Sequence, residues 1–183
     1  MLRGDKVVLR PIERDDIETL VAWDHDYDTW PQVNWSPYVP RSVADVLKEY
    51  DGDEESDYRA GDTSAPFAVT VDDGLVGTAG LWGIDTHNRR AHLGISLRPE
   101  SRGLGYGSDA CRVVLRYAFV DRGLHRVQLE VLADNEAALR AYRAVGFEQD
   151  GRLRESAWVT GRFVDEVYMS VLATDPGRRP DSP

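Results

Sequence analysis

The chain has 183 residues, 42% of them hydrophobic, which suffices for one domain with a substantial core, and a formal net charge of −10. That charge argues against nucleic acid as the main partner, since phosphate contacts need a basic surface, and it suits a cationic small molecule or a peptide amine. Cys111 is the single cysteine, so no intrachain disulfide forms, and no apolar run is long enough for a membrane span or a signal-peptide core; a cytoplasmic protein without membrane attachment is expected.

Residues 6–10 read as a first strand. Pro11, Asp15 and Asp16 then open a helix with Ile17, Leu20 and Val21 on one face. Residues 30–40 carry three prolines and read as a loop, rich in aromatics at Trp30, Trp35 and Tyr38. Ser42 caps a second helix to about Tyr50, and an acidic loop follows over residues 51–57. Residues 67–71 and 75–84 are strands joined by a hairpin turn at Asp72-Asp73-Gly74, and residues 91–97 are the next strand. A helix over residues 109–120 shows Ala110, Val113, Val114 and Tyr117 at helical spacing, with Cys111 as a buried thiol, and Gly123 ends the unit. Residues 127–132 form a strand and 135–145 a helix bearing Ala138, Ala141, Tyr142 and Val145, closed by Gly146. Residues 147–158 and 162–172 are a closing strand pair around Thr160-Gly161. The order is that of one mixed α/β domain over residues 1–173, with a disordered tail expected over 174–183.

The most informative stretch is Arg102-Gly103-Leu104-Gly105-Tyr106-Gly107-Ser108, between a strand and a helix. Glycine permits φ > 0 and close approach of a ligand, and a helix start presents unpaired N–H groups, so the run reads as a pyrophosphate cradle. A P-loop would need lysine after the last glycine, where this chain has Ser108 and Asp109. A Rossmann fingerprint would need an acid about 20 residues on; Glu130 lies near that distance, but the motif sits past the middle of the chain. A plain tight turn is the third reading of the glycines alone.

A second motif lies downstream, with Asn135, Ala138 and Tyr142 followed by Gly146-Phe147. Together the two motifs resemble the GCN5-related N-acetyltransferase (GNAT) superfamily, and more closely its RimJ/RimL-like ribosomal-protein N-terminal acetyltransferases. Val7-Val8-Leu9-Arg10-Pro11, Leu75-Val76-Gly77, Tyr117-Ala118-Phe119 and Gly151-Arg152-Leu153-Arg154 fit that subfamily. The resemblance implies an α/β fold with a mixed, mostly antiparallel sheet, a splayed central strand pair and flanking helices. It implies acetyl-CoA as acetyl donor, an amine acceptor and no metal. The diphosphate falls to Arg102, Gly103, Leu104, Gly105, Tyr106, Gly107 and Ser108, and the pantetheine arm runs beside Ile95, Ser96 and Leu97. Asn135 is expected to bond that arm, with Ala138 at the same motif, and Tyr142 to face the thioester sulfur.

The chemistry agrees with that assignment. Attack of an amine on a thioester needs a neutral amine, a polarised carbonyl and a proton for the leaving thiolate. A backbone N–H near Ile95 or Ser96 suits the oxyanion and Tyr142 suits the acid; the plainer readings are a core tyrosine and, for Asn135, a helix cap. Strand alternation puts His92, Gly94 and Ser96 on one face. The subfamily often has a carboxylate where His92 stands, so His92 and Asp85 are the base candidates, His87 and Glu100 weaker ones, with relay by water the alternative. Trp35 and Trp82, with Trp30 and Tyr38, are expected as an aromatic wall for a cationic acceptor, either a peptide N-terminus or a small molecule. Edge strands and the aromatic loop make a homodimer an expectation. Two competing functions are a non-catalytic CoA-binding regulatory or scaffold module and a nucleotide-dependent oxidoreductase.

Overall fold

The computed structural model describes residues 1–25, 38–52 and 58–175. Strands β1 (Leu2–Arg3) and β2 (Val8–Arg10) form a short antiparallel hairpin with Leu2 opposite Leu9. The strand expected over residues 6–10 therefore starts at Val8, because Gly4 to Val7 is a turn closed by Gly4 N–H donating to Val7 C=O at 2.9 Å. A Cβ on Gly4 would lie 2.4 Å from the Asp109 carboxylate, so only glycine fits there.

A 3-10 turn (Arg14–Asp16) leads into α1 (Ile17–Asp24). Arg10 grips Asp16 through two hydrogen bonds of 2.6 and 2.8 Å and holds its carboxyl below the usual carboxylate range. Helix α2 (Val43–Asp51) starts as expected, with Ser42 Oγ accepting from Asp45 N–H at 3.1 Å. Ile17, Leu20 and Val21 of α1 pack with Val46 of α2, Ile12 and Ala68 into a small core on one face of the sheet.

Strands β3 (Ala65–Val71), β4 (Gly74–Asp85) and β5 (Arg90–Leu97) form an antiparallel meander. Asp72 and Asp73 both take positive φ (48° and 63°), the mirror-image turn that matches strand twist. Helix α3 (Tyr106–Arg116) begins three residues before the expected start and yields to a π-helical turn (Tyr117–Asp121) in place of its last turn. Then come β6 (Arg126–Leu132), α4 (Glu136–Ala144), β7 (Glu148–Val159) and β8 (Arg162–Leu172). The eight strands form one sheet in the order β1-β2-β3-β4-β5-β6-β8-β7. Every adjacent pair is antiparallel except β5 and β6. The larger core lies on the face opposite α1 and α2, where Ala110, Val113 and Val114 of α3 and Leu139 of α4 meet Leu93, Val127 and Leu129 of the sheet.

The tail from residue 176, Trp30, Trp35 and the acidic residues 53–57 lie outside the described residues.

Candidate active site

The site is built on the one parallel junction of the sheet. Strands β5 and β6 pair only through Arg90–Arg126, Ala91–Val127 and His92–Gln128. Beyond His92, β6 continues along β8 to Leu132 while β5 continues along β4 to Leu97. Among the described residues no strand pairs with the β6-facing edge of residues 93–97, and its backbone polar groups, apart from the Leu97 C=O, are available to an extended ligand. Ile95, Ser96 and Leu97, assigned above to the pantetheine arm, lie on that open edge.

At the point where the strands part, side chains of alternating residues form a polar chain. Arg126 Nε donates to Gln128 Oε1 at 3.0 Å, and Gln128 Nε2 lies 3.0 Å from His92 Nε2. His92 Nδ1 lies 3.2 Å from the Glu130 carboxylate. Arg126 fixes the amide so that its NH2 faces the imidazole; an amide nitrogen only donates, so His92 Nε2 accepts and its proton sits on Nδ1, donated to Glu130. The His92 lone pair is thereby occupied, and Glu130 is the member with acceptor capacity left. Its side chain is 5% exposed. On the neighbouring strand, burial and the charges of Glu130 and Glu166 push the Tyr168 hydroxyl pKa up. Trp82 stacks on the His92 ring at 4.1 Å and 26°, lying over Gly94.

Of the two base candidates in the sequence, the structure brings only His92 to this cluster. Asp85 sits in the β4–β5 turn, where it accepts from Asn88 N–H and Nδ2 at 2.8 and 2.6 Å with Arg90 beyond. Those bonds hold its carboxyl below the usual range, the wrong direction for a base. Its short turn-forming spacing to Asn88 explains it fully. The structure adds Glu130 to the His92 cluster, where the sequence offered it only as an acid near the spacing of a Rossmann fingerprint. The available signal was the alternation of Arg126, Gln128 and Glu130 against Val127, Leu129 and Val131, which puts three polar side chains on one face of an interior strand.

A cleft of about 630 Å³ opens between the α1–α2 layer and the β4–β5 face. It is lined by Trp23, Asp24, Tyr58, Trp82 and Ser96, with Arg41, Arg98 and Glu100 also at its wall. Tyr58 donates to Asp24 at 3.1 Å, Arg41 pairs with Glu49, and Arg98 lies 5.9 Å from the Trp23 ring centroid and 3.6 Å from Glu100. Glu100 thus flanks the mouth in an exposed ion pair, remote in role from the cluster at the fork.

At the far end of the open edge lies the glycine run. Gly103 and Gly105 take φ of +75° and +85°, and a Cβ on Gly103 would meet nothing within 4 Å, so the space before the loop is open. Gly105 is the N-cap of α3, and the first intrahelical bond is from Asp109 N–H to Gly105 C=O. The N–H groups of Tyr106, Gly107 and Ser108 precede that first bond and point out of the helix together. Arg102 Nε donates to Leu97 C=O at 2.9 Å and ties the loop to the end of the open edge. Asp109, 4% exposed, accepts from the N–H groups of Asp5, Lys6 and Val7 at 3.2, 2.7 and 3.0 Å, locking the β1–β2 turn onto α3.

On α4, Asn135 Oδ1 accepts from Ala138 N–H at 3.1 Å, so Asn135 is a helix cap. Tyr142 packs edge-on against Phe147 at 5.7 Å, and no described residue hydrogen-bonds its hydroxyl. Burial, with the nearby Cys111, pushes its pKa above the ordinary tyrosine range, so it holds its proton. Cys111 is itself buried, its thiol pushed up to about 12, which makes it inert as a nucleophile.

The acetyltransferase (GNAT) domain model matches residues 6–148. The chain belongs to the GNAT acetyltransferase family. A relative from Bacillus licheniformis, described as uncharacterized N-acetyltransferase p20, is 26% identical over 171 residues, covering 93% of this chain and 95% of that one. The spermidine N(1)-acetyltransferase of Escherichia coli (strain K12) is 27% identical over 175 residues, 94% and 89% of the two chains. The putative ribosomal N-acetyltransferase YdaF of Bacillus subtilis is 34% identical over 104 residues, 57% of each. The GNAT fold is shared with the crystal structure of spermidine N-acetyltransferase from Vibrio cholerae in complex with CoA and spermine, at a TM-score of 0.82 and 24% identity over 92% of this chain and 96% of that one. An acyltransferase therefore stands in place of the scaffold and oxidoreductase alternatives. No helix among the described residues is long and apolar enough to cross a membrane.

Proposed function

We propose that the protein transfers an acetyl group from acetyl-CoA to the primary amine of a small cationic molecule. The observation that carries this is the open β5 edge, which runs from the glycine loop to the Glu130–His92 cluster and has the acceptor cleft along its α1–α2 side. The donor's diphosphate meets the N–H groups after Gly105, and its extended arm supplies the strand that residues 93–97 lack. The amine enters past Trp82, Trp23 and Asp24 in a cleft of small-molecule size, drawn by the chain's net charge of −10. Glu130 takes up the ammonium proton, and His92 positions Glu130. The neutral amine attacks the carbonyl carbon and a β5 N–H stabilises the oxyanion; as the C–S bond breaks, Tyr142 gives its proton to the leaving thiolate, and the second proton released from the amine nitrogen restores the Tyr142 hydroxyl.

Spermidine acetyltransferases among the relatives support a polyamine-like acceptor. A second reading, N-terminal acetylation as in the RimJ/RimL subfamily, is favoured by Arg41 and Arg98 in the cleft, which suit an acceptor bearing carbonyl or carboxylate groups. The test is thiol release from acetyl-CoA across polyamines, other small amines and N-terminal peptides. Selective turnover of polyamines supports the first reading and of peptides the second; no release with any acceptor, despite CoA binding, refutes both.

A further inference from the structure

The glycine run lacks the lysine that a P-loop carries after its last glycine, yet the structure brings a lysine to the same place from 98 residues upstream. Lys6 Nζ donates to Leu104 C=O at 2.9 Å, inside the run, and a Cβ on Gly105 would lie 2.9 Å from that nitrogen. Its position is fixed from below: the Lys6 N–H donates to the buried Asp109 carboxylate at 2.7 Å, with the N–H groups of Asp5 and Val7 on either side bound to the same group. The turn that carries Lys6 is thus docked on the first turn of α3, independently of what the Lys6 side chain does.

An ammonium has three donors, and Leu104 takes one. The side chain is exposed, and among the described residues no carboxylate forms an ion pair with it, in a chain where acidic residues outnumber basic ones by 32 to 22. Lys6 and Lys48 are the only lysines among those 22 cations. Lysine suits the place, since a compact point charge fits against a glycine and a carbonyl and meets phosphate as a point charge.

We propose that Lys6 is a cation of the diphosphate cradle, completing with the backbone N–H groups after Gly105 an anion site to which the glycine motif itself brings Arg102. The assignment rests on the acetyl-CoA reading above and adds to it a residue outside both motifs. Its test compares three donors, acetyl-CoA, dephospho-acetyl-CoA and phosphate-free S-acetyl-pantetheine, in wild type, Lys6→Met and Lys6→Arg.

Lys6→Met should raise KM and Kd for acetyl-CoA about tenfold, and equally for the dephospho donor, since the 3′-phosphate is not involved. KM for acetyl-pantetheine should stay within about twofold, salt should weaken acetyl-CoA binding less than in wild type, and Lys6→Arg should recover most of the loss. Equal loss with acetyl-pantetheine would assign Lys6 to loop shape alone and overturn the proposal, as would unchanged acetyl-CoA binding; a loss confined to acetyl-CoA and absent with the dephospho donor would move Lys6 to the 3′-phosphate and overturn it too. Lys6→Gln carries the same comparison should the methionine variant prove insoluble. Failure of wild type to bind CoA at all would instead sink the acetyl-CoA reading, and Lys6 with it.

Discussion

Removing one oxygen atom separates the proposed proton donor from a core aromatic. In Tyr142→Phe the ring keeps its edge contact with Phe147, and the lost hydroxyl leaves no described partner unsatisfied. The stability change should therefore fall within about 1 kcal/mol, or roughly 2–4 °C in Tm for a chain of this size. Catalysis should suffer far more. Burial raises the Tyr142 pKa, so the hydroxyl stays protonated through the whole working pH range. The leaving thiolate forms in the same poorly solvated region, which raises its own proton affinity and keeps the transfer from being steeply uphill. Loss of such a donor costs about 10²–10³ in kcat, or roughly 2.7–4 kcal/mol of barrier. The assay is thiol release at saturating acceptor from pH 6 to 10, beside a thermal melt. An acetyl thioester with a more acidic leaving thiol should recover much of the phenylalanine variant's rate, because that thiolate needs its proton less. A variant within threefold of wild type, or one whose loss tracks a fall in Tm, would refute the acid role.

Three further outcomes follow from the geometry. Glu130→Gln should lower kcat/KM about 10²–10³-fold and His92→Gln only about 10-fold; the reverse ranking would make His92 the base. Asp109→Ala strands three backbone N–H groups, one of them buried, and should cost about 3–4 kcal/mol by urea unfolding, with Asp109→Asn at about 1–2 because one oxygen still serves Lys6 and Val7. Asp16 has a lowered folded pKa, so its contribution is complete above the unfolded value near 4 and is lost as pH falls below it; wild type should lose about 1–3 kcal/mol more than Arg10→Met on acidification from pH 5 to 2, and parallel curves would contradict the pairing.

Much of the fold was legible because it is local. Asp72-Asp73-Gly74 and Thr160-Gly161 announce hairpins through Asp and Gly, which tolerate positive φ, and both turns adopt it. Ser42 and Asn135 announce helix starts through caps that the structure forms. Strand β1 escaped notice because two residues carry no periodicity, and the start of α3 was placed late because Tyr106 and Gly107 read as loop. At the site, the glycine run and the Asn135–Tyr142 spacing are contiguous and visible. Glu130 meets His92 across 38 positions, and Lys6 meets Leu104 across 98. Both meetings are set by sheet order and a docked turn, which no window along the chain contains. Asp85 drew notice as an acid near a strand end, where its three-residue spacing to Asn88 already spelled a turn.

The three-rung junction between β5 and β6 has a thermodynamic consequence. It joins a five-strand half of the sheet to a three-strand half with fewer ladder pairs than the β3–β4, β4–β5, β6–β8 or β7–β8 junctions. A donor lying along residues 93–97, as proposed, would add rungs at this three-pair seam and act as a strut as well as a reactant. Its binding energy becomes folding energy, rising with the logarithm of its concentration over Kd. Amide hydrogen exchange along 93–97 and 129–132 should slow most on cofactor binding, and at low cofactor levels the two halves should breathe against each other along that seam.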